Sequence, residues 1–339
     1  MRIGKNPNKD INLQETDYTH QIVIPLYIPN FEGYFKDSLK IFQLCLSSLT
    51  KTSHNKTFIS VINNGSCNEV RSFLNEKIKD RIIHEVVHTN NIGKNNAIIK
   101  GVIGHNFRII TIADSDVLFL NNWQNETIKI FNAFPKAGVV GIVPQFGIFN
   151  SNSWNVLFDN FFSKKMQFTI VKNPNALKLF YNSIGWDTNY NKNYLEKHLT
   201  LRSDNNLTAV IGSGHFVATY KREVLNLSPN EYISKPLSSK YDNLLLDKPI
   251  LFKDGWRLTT DENFAYHMGN TLEDWMFKEV NENYIKTEGI ELNNTNILKK
   301  SKLKYLIKCV VFRKIFKIKI IYKWFLSYKN LPKKMISKY

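Results

Sequence analysis

Cysteine is scarce in this 339-residue chain, which contains only Cys45, Cys67 and Cys309. The three residues lie far apart and in no paired spacing, which argues against a disulfide framework and against a cysteine zinc site. Such sparse cysteine usage is typical of proteins in a reducing compartment. We therefore expect the protein in the cytoplasm.

Long apolar runs are also absent. The first nineteen residues have no apolar core and no small-residue cleavage site, so the sequence predicts no secretory signal there. The longest uninterrupted apolar stretches fall well short of the ~20 residues that a membrane-spanning helix needs. We expect no transmembrane span.

Acidic residues stop at Glu291. Of the 46 Lys and Arg residues fourteen follow Glu291, whereas none of the 29 Asp and Glu residues does. Most of the formal charge of +17 therefore belongs to the last part of the chain, and the body is nearly neutral. Confinement of the charge to one end, without a recognisable nucleic-acid-binding motif, argues against nucleic acid as a partner.

The basic segment also contains many apolar side chains. From Leu303 to Phe325, aliphatic and aromatic residues alternate irregularly with Lys and Arg. This composition favours an amphipathic helical tail that lies on an anionic membrane surface. The alternative is a pair of helices that packs on the body of the protein or on a partner. We expect a peripheral location on the inner face of the cell membrane.

Strands and helices alternate in the first half of the chain. Helical patterns at 36–50 and 68–79, and a third that follows Asn90–Asn96, separate short apolar runs rich in β-branched residues. These runs predict strands at 21–29, 57–66, 81–89 and 107–120. Such alternation predicts an α/β fold with a mainly parallel sheet covered by helices on both faces.

Unusual polar residues end these strands, at the sheet edge where α/β proteins bind ligands. The strongest signal is Asp114-Ser115-Asp116, which interrupts an apolar strand. Burying an unpaired carboxylate is costly, and a divalent cation would offset that cost, since Mg²⁺ and Mn²⁺ commonly bridge carboxylates to substrate phosphates. The alternative is two solvent-facing acids at a strand end. The Asp-x-Asp spacing alone does not decide between the two.

Four motifs, in this order, resemble those of the family 2 glycosyltransferases. They are Pro25 to Tyr27, Asn63 to Ser66, Asn91 to Lys94 and Ala113 to Asp116. The resemblance extends over roughly residues 20 to 270. It implies the GT-A fold, a Rossmann-like, mainly parallel sheet with flanking helices, here followed by a basic C-terminal helical extension.

In that family the first motifs hold a nucleotide-sugar donor. By the match, Pro25, Tyr27 and Asn63 line the base and the ribose, and Lys94 lies near the nucleotide. Asn63 and Asn64 stand where the family usually has aspartates, so an amide would contact the base. The resemblance implies a nucleotide-sugar donor, and we expect a UDP-sugar.

The resemblance also implies a metal and diphosphate site. Asp114, Ser115 and Asp116 would bind the diphosphate, and the two aspartates would hold Mn²⁺ or Mg²⁺. Several enzymes of this fold place a late histidine beside the Asp-x-Asp, which makes His267 a candidate third ligand. A lone histidine is otherwise a core or surface residue.

The general base is expected from the second half of the chain. In inverting members of the family a Glu-Asp pair supplies it, and this sequence offers Asp242, although Tyr241 stands in place of the glutamate. Asp247 is the alternative base, and Asp261 and Glu262 are weaker candidates. A carboxylate suits the role because the acceptor hydroxyl must lose a proton as it attacks the anomeric carbon.

The resemblance divides the chain into four predicted parts. They are an N-terminal polar arm (1–19), the nucleotide-sugar-binding half of the GT-A domain (20–135), its acceptor-binding half (136–290) and a basic amphipathic tail (291–339). It implies a metal-assisted, inverting hexosyltransferase that uses a glycan or lipid-linked acceptor in bacterial surface polysaccharide synthesis. A GT-A-like protein with altered catalysis, a nucleotidyltransferase, and a basic protein that binds nucleic acid or membranes are the alternatives.

Overall fold

A computed structural model describes residues 4–6, 9–12, 16–186, 189–225, 233–235, 237, 239–282, 288–293 and 297–339. The strands are β1 (His20–Leu26), β2 (Thr57–Asn64), β3 (Glu85–Thr89), β4 (Ile109–Ala113), β5 (Val117–Phe119), β6 (Ala137–Gly141), β7 (Met166–Ile170), β8 (Lys197–Arg202), β9 (Thr208–Ile211), β10 (Val217–Lys221), β11 (Trp256–Thr260) and β12 (Ala265–His267). The helices are α1 (Ser38–Thr52), α2 (Asn68–Lys79), α3 (Lys94–Val102), α4 (Trp123–Ala133), α5 (Trp154–Asp159), α6 (Pro174–Ser183), α7 (Ser239–Asp242), α8 (Lys248–Phe252), α9 (Asp274–Asn281), α10 (Lys302–Tyr305), α11 (Arg313–Phe316), α12 (Lys319–Tyr328) and α13 (Lys333–Ile336). A π-helical stretch joins α7 to α8, and another joins α10 to α11.

Ten strands form one mixed sheet in the order β3-β2-β1-β4-β10-β6-β11-β9-β8-β7. The first four neighbours are parallel to one another, as the alternation of strands and helices predicts. β10 runs antiparallel to both β4 and β6, and β11 is parallel to β6. The remaining pairs are antiparallel, so the predicted α/β class is confirmed and parallel pairing is concentrated in the first half.

The predicted strand at 107–120 is split at Asp114–Asp116. β4 belongs to the large sheet, whereas β5 pairs antiparallel with β12 in a separate two-stranded sheet. The backbone therefore leaves the large sheet at the two aspartates. That departure places their partly buried side chains at the edge formed by the carboxyl ends of the parallel strands.

Helices cover both faces of the sheet. α1 buries Ile41, Phe42, Cys45 and Leu49, at the 3- and 4-residue spacing of one helical face, against the core that includes β1. α3 packs on the opposite face, where Gly101 is needed because a Cβ there would lie 2.7 Å from a methyl carbon of Val23. The parallel strands β1, β2 and β4 are buried on both faces, which explains their nearly continuous apolar sequences, whereas β3 at the sheet edge is only partly buried.

The basic tail packs on the body rather than extending away from it. Phe316, Phe325 and Leu326 are buried in a core that also contains residues of β6, β8 and β9. Lys308 is buried between Asp159 and Asp254 and pairs with both. One face of the tail therefore packs on the body, which is the alternative that the sequence left open. Within the described ranges, every helix is too short or too polar to cross a bilayer.

Candidate active site

A cleft of about 880 Å³ opens at the carboxyl ends of β1, β2 and β4. Residues from the predicted donor motifs line it together with residues that follow α6 and β12. They are Pro25, Leu26, Tyr27, Tyr34, Phe35, Asn64, Asn91, Gly93, Lys94, Asp114, Ser115, Asp116, Asn182, Ser183, Ile184, Gly185, Leu237, His267, Met268, Gly269, Asn270, Thr271 and Glu273. Of the ten predicted site residues, seven lie here and three, Asn63, Asp242 and Asp247, are outside the lining.

Backbone hydrogen bonds fix the Asp114–Asp116 turn. The N–H of Asp114 donates to the carbonyl of Phe216 over 2.7 Å, and the N–H of Met268 donates to the carbonyl of Asp116 over 2.8 Å. The turn is thus held from both sides, by the residue that precedes β10 and by the residue that follows β12. Both carboxylates lie at the cleft.

Lys94 forms an ion pair with Oδ1 of Asp114. Lys94 begins α3 directly after Gly93, whose φ of 83° is in the region that favours glycine. Burial alone would lower the pKa of Lys94, but the charges of Asp114, Asp242 and Asp116 raise it above its ordinary value. The lysine is therefore a fixed cation in the cleft, suited to contact an anionic phosphate.

His267 faces Asp116 because β12 pairs with β5, in register with Val117. Its Nε2 lies 3.4 Å from Oδ2 of Asp116, and its Nδ1 is 2.9 Å from Oγ of Ser183. Burial raises the pKa of Asp116, although the neighbouring His267 opposes this shift. The structure therefore brings the two together as the resemblance implies.

The Asp116 region fits a divalent cation. Oδ1 of Asp116 is buried and has no hydrogen-bond partner among the described residues. A buried, partnerless carboxylate oxygen is costly, and a metal ion would satisfy it. Among those same residues no three His, Cys, Asp or Glu side chains already converge as a ligand set. Substrate oxygens and water would therefore have to complete the coordination.

The loops after β2 and β3 are tied together by asparagine side chains. Oδ1 of Asn64 accepts from the N–H of Ile92 over 2.8 Å, and Oδ1 of Asn91 accepts from the N–H of Gly93 over 3.1 Å. A Cβ on Gly65 would lie 2.7 Å from the backbone nitrogen of Asn91, so only glycine permits this approach. The loop before Lys94 is therefore positioned by the Asn-Asn-Gly turn.

Asn63 and Asn64 differ in access to the cleft. Asn63 is buried, and its amide bonds His88 Nδ1 over 2.9 Å while its Oδ1 accepts from the N–H of Ser66 over 3.0 Å. Asn64 lines the cleft. The contact of Asn63 with a base stays a prediction, and in this structure Asn63 shapes the turn that presents Asn64.

The two candidate bases have different surroundings. Asp247 is buried and accepts from Arg257, from His215 at 2.8 Å and from Asn152 at 2.8 Å. Burial would raise its pKa, but the charge of Arg257 and the hydrogen bonds from His215 and Asn152 hold that pKa below its ordinary value. Asp242 is half-buried, and its charge acts on Lys94 of the cleft. Asp242 is the more exposed of the two and neither lines the cleft, so the identity of the base stays a prediction.

Replacing Asp247 with alanine should destabilise the fold. The change leaves the buried guanidinium of Arg257 without its carboxylate partner, and breaking a buried pair in this way costs about 3–5 kcal/mol. The free energy of unfolding in denaturant measures this loss. Asp204→Ala, which removes an exposed pair with Lys165, is the matched control and should cost at most about 1 kcal/mol. Equal stability of the two variants would contradict the structural role of Asp247.

Several cleft residues carried no signal in the sequence. Ser183 lies at the end of α6, in a stretch whose aromatic residues predict core packing, yet it lines the cleft and its hydroxyl is hydrogen-bonded to His267. Tyr34 and Phe35 belong to a single 3-10 turn (Gly33–Phe35), Asn270 lies in the loop after β12, and the amide of Asn270 donates to the carbonyl of Tyr34 over 3.3 Å. Loop residues of this kind follow no hydrophobic period, so sequence patterns do not reveal them.

Residues 28–199 match the family described as glycosyl transferase family 2. Among curated proteins nothing matches the chain. Similar solved structures include S. aureus TarS 1–349 (13% identity, TM-score 0.43, covering 77% of this chain and 63% of TarS 1–349). Others are the mannosyltransferase PcManGT from Pyrobaculum calidifontis in complex with GDP-Man and Mn²⁺ (12%, 0.42, 92% and 72%) and GalNAc-T7 with UDP, GalNAc and Mn²⁺ (14%, 0.44, 75% and 44%).

This chain spans less than two thirds of the length of the TarS fragment. At such identities and TM-scores the solved structures carry no inference about substrate or mechanism. The family match extends over half of the chain and includes the motifs from Asn63 to Asp116. The chain therefore belongs to glycosyl transferase family 2, as its motifs predict.

Proposed function

We propose that this protein transfers a sugar from a nucleotide-diphosphate-sugar, a UDP-sugar in the first instance, to a glycan or lipid-linked acceptor in bacterial surface polysaccharide synthesis. The observation that carries the proposal is the cluster of Asp116, His267, Asp114 and Lys94 in one cleft at the sheet edge. The cleft, at about 880 Å³, falls within the range of small-molecule sites. Family membership supplies the reaction class.

The donor would lie with its diphosphate near Asp114–Asp116 and its base toward the mouth of the cleft. Tyr27 and Tyr34 are exposed there, and Tyr27 contacts Phe35 edge to face with ring centres 5.8 Å apart. Aromatic faces of this kind suit the planar base. Pro25 and Asn64 complete this side of the proposed donor site.

Asp114, Ser115, Asp116 and His267 would hold the diphosphate and a Mn²⁺ or Mg²⁺ ion. Such an ion supplies Lewis-acid stabilisation of the negative charge that develops on a leaving diphosphate. Lys94 adds a fixed positive charge on the same side of the cleft. Asp116 and His267 are the proposed protein ligands, since Asp114 is engaged by Lys94.

Asp242 is the proposed general base of an inverting transfer. Its carboxylate would accept the proton of the acceptor hydroxyl as that oxygen attacks the anomeric carbon from the side opposite the leaving diphosphate. Asp242 is more exposed than Asp247, and its charge helps to raise the pKa of Lys94, which supports this role. Asp247, held by Arg257, would instead fix the acceptor half of the site.

The donor site is tested by thermal unfolding of the protein with nucleotide-sugars, with and without Mn²⁺. A ligand at 100 times its Kd stabilises the folded state by about 2.7 kcal/mol. We expect selective stabilisation by one class of nucleotide-sugar, larger with Mn²⁺, and none by the matching nucleoside monophosphate, which lacks the diphosphate. No stabilisation by any nucleotide-sugar would reject the donor site.

We further propose that the enzyme works on the inner face of the cell membrane. The cationic tail supports this location, because fourteen Lys and Arg residues and no acid follow Glu291. Each Lys or Arg near an anionic leaflet contributes roughly 1 kcal/mol. A peripheral location would also bring the enzyme to a lipid-linked acceptor.

A further inference from the structure

An apolar groove of about 650 Å³ lies between the end of α5 and the tail helices. We call it the tail groove. Phe158, Phe161 and Phe162 line one side, and Ile315, Ile320 and Trp324 line the other. Phe162 is 73% exposed and Ile320 is 79% exposed, so one apolar side chain on each side of the groove is largely open to solvent. Contiguous exposed apolar surface of this kind marks an interaction site.

The floor of the tail groove is firmly held. Phe161 stacks on Phe325 with ring centres 5.3 Å apart, and Phe325 is fully buried. The hydroxyl of Tyr328 donates to the carbonyl of Phe162 over 3.0 Å, and the ammonium group of Lys329 donates to the carbonyl of Ser163 over 2.8 Å. These contacts attach the tail to the body and hold the two sides of the tail groove in a fixed relative position.

Positive charges flank the apolar surface. Five exposed cations belong to the two helices that form the tail side and to the turn between them, and no acidic side chain forms an ion pair with them in the described part of the chain. They are Arg313, Lys314, Lys317, Lys319 and Lys323. A surface that combines exposed aromatic and aliphatic groups with unpaired cations complements a bilayer interface with anionic headgroups.

We infer that the tail groove, built jointly by α5 and the tail, is the element that docks on an anionic membrane. This inference deepens the proposed peripheral location, which it takes as its premise, and it places insertion on Phe162, Ile320 and Trp324 rather than on the tail alone. Trp324 is half exposed at the groove, as expected for an interfacial aromatic residue. A second copy of the chain is a poorer occupant, because a two-fold contact through this face would bring its cations against the same cations of the partner.

The test is cosedimentation of the full chain with vesicles of phosphatidylcholine containing phosphatidylglycerol, compared with pure phosphatidylcholine. The double variant Phe162→Glu/Ile320→Glu should bind anionic vesicles about tenfold or more weakly than the parent. Lys319→Gln/Lys323→Gln should lose about fivefold for each cation removed, and more at low salt. Ile170→Glu is the matched control, since Ile170 is also exposed, at 71%, but lies on β7 outside the groove; its binding should equal the parent's.

Equal vesicle binding by the parent and the Phe162→Glu/Ile320→Glu variant would overturn the inference. The inference would also be overturned if the parent protein did not bind anionic vesicles but dimerised through this face. Such dimerisation would appear as a molecular mass that rises with protein concentration in the parent and not in the double variant. Stabilisation by nucleotide-sugar is measured on the same proteins. The tail groove shares no residue with the donor cleft, so the two proposals fail separately. If the Phe162→Glu/Ile320→Glu variant loses vesicle binding but is still stabilised by nucleotide-sugar, the result supports the groove. If the parent binds vesicles but is not stabilised by nucleotide-sugar, the result counts against the donor site alone.

Discussion

Asp116→Ala should remove sugar transfer and metal-dependent hydrolysis of the donor, with a loss of roughly 10²- to 10³-fold or more in rate. Asp116 is the cleft carboxylate that combines a buried, partnerless oxygen with a histidine 3.4 Å away. Its removal takes away the proposed metal ligand and leaves His267 without its acidic neighbour. Release of free nucleotide from the sugar donor, with and without Mn²⁺, measures the effect.

The variant should remain folded, because a smaller neutral side chain relieves a buried carboxylate of its desolvation cost. Asp80→Ala is the matched control: Asp80 caps the exposed C-terminal end of α2, pairs with Lys77 and does not line the cleft, so this variant should keep the parental rate. An Asp116→Ala protein that turns over its donor at full rate would show that the metal site lies elsewhere.

Asp242→Asn should abolish transfer while donor binding persists. A positioned general base contributes about 10²- to 10⁴-fold, and an amide of the same shape cannot accept the proton. The expected signature is a fall in kcat with little change in the nucleotide-sugar concentration that half-saturates the enzyme.

Asp247→Asn separates the two candidate bases. It preserves the size of the side chain but removes the charge that faces Arg257 and His215, so its main effect should be lower stability. Rates per folded molecule are compared after unfolding curves have been measured for both variants. If Asp242→Asn transfers sugar at the parental rate and folded Asp247→Asn does not, the assignment of the base is wrong.

Local sequence patterns predicted the donor half of the fold well. β1, β2 and β4 are runs of β-branched residues that are buried on both faces, so their apolar character is nearly continuous. The break at Asp114 was also visible, because two acids cannot continue a buried strand without partners. These features depend on neighbours in sequence, which is why a single sequence reveals them.

The partners of the site residues could not be predicted in the same way. His267 meets Asp116 through the pairing of β12 with β5, a contact between segments about 150 residues apart along the chain. Likewise, Asp247 is held by Arg257 and His215, and Lys308 of the tail is buried against Asp159 and Asp254. Charge composition predicted a basic tail, but only the tertiary packing shows which of its cations are used inside the fold.

The most direct test of the donor site is a crystal structure of the protein grown with Mn²⁺ and the nucleoside diphosphate of the best stabilising donor. Anomalous scattering from manganese locates the ion without reference to the protein. We predict an anomalous peak at the Asp116 carboxylate, with the diphosphate in the same cleft and Lys94 beside it. A nucleotide bound outside this cleft, or manganese bound away from Asp116, would contradict the account.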